Sequence, residues 1–219
     1  KAKDYWRQNL ATWKDAPLPD LTAVELTLDL DPRKSRLRAE GSYRLVNRQK
    51  TPMAQVALTG GLHWDHVKWT LDGKPYEPEN RTRLFVFTPP APLAPGQGVT
   101  VGFSFDGLFP GGISKNGGGR EEFILPSGAV LTSFSPSFAP VVGYIEDVGV
   151  DKDNRYEPRV YPDDFYKGVT PPLFGSSSAF TTKVAITVPD EYTANSVGIL
   201  AGETRGGGKR TSVWQSDQP

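Results

Sequence analysis

Two runs of strict two-residue alternation, one near each end of the chain, constrain the fold more than anything else in the sequence. Val24, Leu26, Leu28 and Leu30 alternate with Glu25, Thr27 and Asp29, and Phe180, Thr182, Val184, Ile186 and Val188 repeat the period. Successive side chains on a strand point to opposite faces, so each run makes one apolar and one polar face, and the apolar one has to be covered. Between the runs, 23 Gly and 20 Pro among 219 residues cut the chain into short pieces rich in Val, Thr, Tyr and Phe. That punctuation favours many strands joined by turns over a helical bundle.

The individual pieces can be placed. A second strand is expected over residues 37–47, with Tyr43 and Leu45 on one face. Shorter strands follow at 55–58, 66–71, 83–87 and 99–105, which is the spacing of a sandwich. Asp72-Gly73 reads as a hairpin turn, and Gly206-Gly207-Gly208 as a hairpin tip. Strand character resumes over 123–134, again over 192–197, and finally over 212–214. Ahead of all these, Trp6, Leu10 and Trp13 fall at i, i+4 and i+7 before Pro17 and predict a helix over 4–14 with that face packed. The expectation is an all-β fold of twisted antiparallel sheets, sandwich- or saddle-like, with a short N-terminal helix and long loops at 111–119 and 135–178. Residues 1–19 are read as helix and linker and 20–219 as one β-rich domain, with Val24, Leu26, Leu28, Tyr43, Leu45, Val184 and Ile186 buried.

Composition and motif spacing exclude most chemistry. Lys plus Arg (25) balance Asp plus Glu (25), so no global field draws the chain to nucleic acid or an anionic membrane. The sequence has no Cys and only two histidines, His63 and His66. An odd offset puts those two on opposite faces of a strand, and no H-E-x-x-H pair exists from which to build a zinc site. Asp151-Lys152-Asp153-Asn154 lacks the glycine and the bidentate glutamate of a calcium loop. The glycines at 111–119 and 206–208 lack phosphate-loop spacing, and Ser176-Ser177-Ser178 has no G-x-S-x-G context. Asn80-Arg81-Thr82 is a glycosylation sequon, which matters in a eukaryotic secretory setting. Read this way the chain is not an enzyme by itself. It carries no metal and no cofactor of its own, and no apolar run long enough to span a bilayer. Its first residue is Lys1, as expected for a segment of a longer protein.

The order of the pieces is informative beyond each piece. V-E-L-T-L-D-L-D-P at 24–32 is followed by L-R-A-E-G-S-Y-R-L-V-N at 37–47 and P-L-A-P-G-Q-G-V-T-V-G-F-S-F-D-G at 92–107. Then come A-F-T-T-K-V-A-I-T-V-P-D-E-Y-T-A-N-S-V-G-I-L at 179–200 and V-W-Q-S-D-Q-P at 213–219. Over residues 20–219 this succession resembles the N-terminal β domain of the aminopeptidase N family of zinc metallopeptidases. The opening at 5–15 and Pro140-Val141-Val142-Gly143-Tyr144 are similar to the branch of bacterial proteins that fuse an ABC-2-type permease region to a peptidase domain. The resemblance implies a non-catalytic domain that packs on the C-terminal peptidase domain of the same polypeptide and shapes its cleft for a peptide substrate. It also implies zinc in that other domain, a periplasmic or extracellular position at a bacterial inner membrane, and membrane attachment only through segments outside this chain.

The family's T-Q-F-E-like segment helps hold the substrate's α-amino group. Here it corresponds to Thr132, Ser133, Phe134 and Ser135, with serines where glutamine and glutamate would stand. A neutral hydroxyl is a weaker partner for an ammonium than a carboxylate. The alternative reading is a free-standing extracellular β-sandwich that binds glycan or protein. It would need exposed aromatics in a row, for which Trp64 and Trp69 are candidates, although their odd spacing sends them to opposite faces of one strand. The long 135–178 segment would depend on aromatic anchors (Tyr144, Tyr161, Phe165 and Phe174), exposed on one face in the absence of the peptidase domain.

Overall fold

The computed structural model describes residues 2–108, 122–131, 136–145 and 179–216. The chain opens with helix α1 (Ala2–Trp13) and continues into β1 (Asp20–Asp31) and β2 (Arg36–Val46). Next come β3 (Val56–Thr59), β4 (Trp64–Leu71), β5 (Lys74–Tyr76), β6 (Glu79–Arg81), β7 (Leu84–Phe87) and β8 (Gly98–Leu108). A hairpin of β9 (Glu122–Leu125) and β10 (Gly128–Leu131) precedes the two-residue β11 (Val141–Val142). β12 (Thr181–Pro189), β13 (Ile199–Gly206) and β14 (Lys209–Ser216) complete the order.

Eight strands make one sheet in the order β13-β14-β12-β1-β2-β8-β4-β5, and a four-stranded sheet runs β11-β3-β7-β6. Every pairing is antiparallel except β1 with β12, which is parallel with Leu26 beside Val184 and Leu28 beside Ile186. The inner face of the large sheet carries the alternating apolar residues. Val24, Leu26, Leu28, Tyr43, Leu45, Val184 and Ile186 are all buried, as the period of two requires. The outer face presents Glu25, Arg38, Glu40, Arg44 and Lys183 to solvent. This is the all-β sandwich expected from the sequence.

β3 and β7 are buried along their whole length. One side of them, with Val56, Leu58, Phe85 and Phe87, joins the main core, while Ala57, Leu84 and Val86 face α1. The small sheet is therefore a middle layer between the large sheet and the helix. α1 buries Tyr5, Asn9 and Trp13, whereas Trp6 is 43% exposed. The packed stripe is i, i+4, i+8 and includes an asparagine, which apolar periodicity alone does not flag. Asn9 is accommodated because its amide donates to the carbonyls of Tyr5 (2.8 Å) and Arg81 (2.9 Å).

Local conformation explains the connections. Asp72 and Gly73 both have positive φ (47° and 77°), as do Gly207 and Gly208 (60° and 73°), the primed turn geometry of two-residue hairpins. Residues 192–197, expected as a strand, are extended but hydrogen-bonded into no ladder, and the true strand is β13 after them. The short β5 and β6 have no sequence signal, since each is three residues long and one contains Pro75.

Trp64 and Trp69 do not lie on opposite faces. Both are buried in the main core. β4 spends three residues, Asp65 to Lys68, where β8 spends two, Asp106 to Ser104. That bulge, with His66 at φ 50°, adds one residue and so returns Trp69 to the face of Trp64. Trp64 stacks on Phe105 (3.7 Å between centroids, 9°) and sits against Gly60 and Gly61, where a Cβ would lie 2.7 Å and 2.4 Å from the indole.

The start of the 135–178 stretch is a finished part of the domain. β11 pairs with β3, Phe138 and Ala139 are buried, and the Tyr43 hydroxyl donates to the Pro140 carbonyl at 2.7 Å. Tyr144 is half-buried against Tyr5 rather than on an exposed face, with ring centroids 5.2 Å apart and planes 7° from parallel. Tyr161, Phe165 and Phe174 lie outside the described residues. Leu45→Ala, which empties a fully buried site in β2, should lower the unfolding free energy by about 2–5 kcal/mol in urea denaturation. Glu40→Ala on the outer face of the same strand should change it by less than about 0.5 kcal/mol.

Candidate functional site

The inner face of the large sheet is covered by the small sheet at one end only. Over β1 and β12 the cover is a strap, residues 191–198, together with the β9–β10 turn, and beneath them lies a cavity of about 770 Å³. Its floor is Leu26, Leu28 and Leu30 from β1 and Val184, Ile186 and Val188 from β12, with Phe138 and Phe180 as walls. The strap is held by Tyr192, whose hydroxyl donates to the Pro126 carbonyl and whose amide donates to the Pro189 carbonyl at 2.9 Å. Tyr192 and Ala194 pack inward on the core while Thr193 and Asn195 turn out. Period-two alternation therefore describes the strap, although it is no strand.

Among the described residues that line this cavity, Glu191 is the one ionisable acid or base at its rim apart from the Tyr192 phenol, and Glu191 is paired with Arg33 at 3.1 Å. The rest of the polar lining is neutral: Ser127, Thr182, Thr193, Asn195, Ser196 and Ser216. Such a site can bury apolar groups but holds no nucleophile–base pair and no acid poised for proton transfer. Its surroundings are unusually apolar for a surface. Val197 on the strap is 61% exposed, and Leu200 of the edge strand, in line with Trp214 and Val184 on the cavity face of the sheet, is 46% exposed; Leu125 and Val130 are exposed on the hairpin. Thr132, Ser133, Phe134 and Ser135 lie outside the described residues, while the residues that flank them in sequence, Leu131 and Phe138, both line the cavity.

The two histidines go to different partners. His63 Nε2 is 2.8 Å from the Ser137 carbonyl, and His66 Nδ1 is 2.8 Å from Asp106 Oδ1. Among the described residues no three His, Cys, Asp or Glu side chains gather as a metal site would require, so the chain's histidines do not fit zinc. The hydrogen bond that the His66 ring donates to Asp106, reinforced by the carboxylate's charge, raises the His66 pKa above 6.5. The protonated ring thus favours the folded state. Its contribution is present below about pH 6.5 and fades as pH rises through the folded-state value. An NMR titration should place the His66 midpoint above 6.5, and Asp106→Asn should bring it back towards that value.

No family model matches the sequence, and no curated protein matches it. Solved structures do match the fold. An M1 zinc metallopeptidase from Deinococcus radiodurans, bound to a Tyr-Ser-Ala substrate, superposes with a TM-score of 0.56 at 18% identity over 90% of this chain and 39% of its own. A two-domain M1 zinc metallopeptidase bound to L-tryptophan gives 0.56 at 17% identity over 92% of this chain and 40% of its own. Legionella pneumophila aminopeptidase A in complex with aspartic acid gives 0.56 at 15% identity over 94% of this chain and 21% of its own. The chain thus spans about two fifths or less of these neighbours, and what it shares with that part of them is the fold.

Proposed function

We propose that this chain is the non-catalytic β domain of a zinc-aminopeptidase-like protein, which packs on the peptidase domain of the same polypeptide and borders its substrate cleft. One observation carries the reading: nearly the whole chain, 90%, lies on 39% of a zinc metallopeptidase. The order of sequence pieces from 24–32 to 213–219 independently supports it. On this reading zinc, its ligands and the general base belong to the other domain, and this domain supplies shape and a docking face. That face is the cavity mouth with its apolar rim, Val197 and Leu200. The segment from Thr132 to Ser135 would face the peptide, and its serines would hold an α-amino group less tightly than the carboxylate of the family pattern.

The permease-linked branch and a periplasmic or extracellular position at a bacterial inner membrane remain part of the proposal, supported by the sequence at 5–15 and 140–144. Among the described residues no helix is long and apolar enough to cross a membrane. The competing glycan-binding module loses its candidate platform, because Trp64 and Trp69 are both buried.

The coding sequence that follows Pro219 is the first check. An H-E-x-x-H helix pair there supports the reading, and a stop codon ends it. Given such a domain, the two pieces expressed separately should associate in titration calorimetry. Leu200→Glu and Val197→Glu should each weaken that association about tenfold or more, a loss of ~1.4 kcal/mol, while Glu40→Ala should leave it unchanged. Association untouched by both rim substitutions would remove this docking face.

A further inference from the structure

Helix α1 belongs to an apolar cluster of its own. Tyr5, Trp13, Ala57, Leu84 and Val86 are its buried members, with Ala16 and Tyr144 at its margin, and none of them is shared with the main core. Three hydrogen bonds then run from the chain after β11 through the helix and back. The Ile145 amide donates to the Tyr5 hydroxyl at 3.1 Å, the Tyr5 and Thr59 hydroxyls are 2.7 Å apart, and Thr59 donates to the Gly143 carbonyl at 2.7 Å. Thr59 has one proton and gives it to Gly143, so Tyr5 is the donor to Thr59. Tyr5 thus reaches Gly143 through Thr59, stacks on Tyr144, and binds Ile145 directly. Burial outweighs these hydrogen bonds and pushes the Tyr5 pKa up to about 12, so the phenol keeps its proton in the folded state.

We propose that α1 is a releasable clamp: its undocking loosens residues 143–145, leaving Gly143 held only by Ala57 and Thr59 of β3, while the eight-stranded sheet stays folded. Cooperative opening units follow separate packing clusters, and this cluster is separate. A twelve-residue helix is marginal in water by itself, so α1 folds when it docks and melts when it leaves. Withdrawal of the helix, by tension on the N-terminus or by a partner competing for its Tyr5–Trp13 face, would uncover Ala57, Leu84 and Val86. It would also loosen the point from which the chain continues after Ile145. The clamp does not depend on the proposed peptidase partner.

Native-state hydrogen exchange on the whole chain in low urea tests it. The amides of α1 and of 143–145 should open together, at least about tenfold more often than those of β1, β2 and β8. Tyr5→Phe keeps the ring and removes the central hydroxyl, and Thr59→Val removes the next one. Each should speed exchange at 143–145 by roughly tenfold and leave β1, β2 and β12 unchanged. A single common opening for α1 and the eight-stranded sheet in the unsubstituted chain overturns the proposal. So does unchanged exchange at 143–145 in both variants.

Discussion

The parallel ladder between β1 and β12 is the joint on which the large sheet depends. β13, β14 and β12 meet β2, β8, β4 and β5 only through it. The two strands are far apart in the chain, so the ladder closes late and at a high loop-closure cost, which neighbouring hairpins do not bear. What compensates is register. With Val24 beside Thr182, Leu26 beside Val184 and Leu28 beside Ile186, both apolar stripes fall on the same face. A slip of one residue would turn one stripe to solvent, so the burial of seven aliphatic side chains (Val24, Leu26, Leu28, Leu30, Val184, Ile186 and Val188) selects a single alignment.

Once that face exists it has to be covered, and the chain covers it unevenly. Over β2, β8 and β4 the small sheet seals the face, with Trp64, Trp69, Phe85, Phe87, Phe103 and Phe105 packed as neighbouring rings. Over β1 and β12 the cover among the described residues is the strap anchored by Tyr192 and the β9–β10 turn, with a large apolar cavity beneath them. A cavity of that size with an apolar lining can take up apolar groups, whether of a small molecule or of a neighbouring domain.

The site was much less legible in the sequence than the fold. Thr132 to Ser135 came from a resemblance, and they remain outside the described residues. The cavity is made by Leu26, Leu28, Val184 and Ile186, which the alternation identified as core; nothing in a one-dimensional pattern says that part of a core will be left unfilled. The Trp64–Trp69 spacing misled for a related reason. Parity along a strand holds only while the strand is regular, and the bulge at His66 depends on how β4 is drawn across β8.

Helix α1 marks the same boundary from another side. The Tyr5 hydroxyl and the Asn9 amide nitrogen are buried with partners at Thr59, Ile145 and Arg81, residues 54, 140 and 72 positions away in the chain. By itself the sequence determined the long alternating strands β1, β2, β8 and β12, their apolar faces and the sharp Asp72-Gly73 and Gly207-Gly208 turns. Those follow from side-chain parity and backbone sterics, which act within a few residues. Tertiary structure alone decided the parallel partner of β1, the bulge, the face that α1 buries and the open end of the sandwich. Each of these is set by which distant groups meet, and hydrogen-bond satisfaction and covered area have no value until the chain has closed on itself.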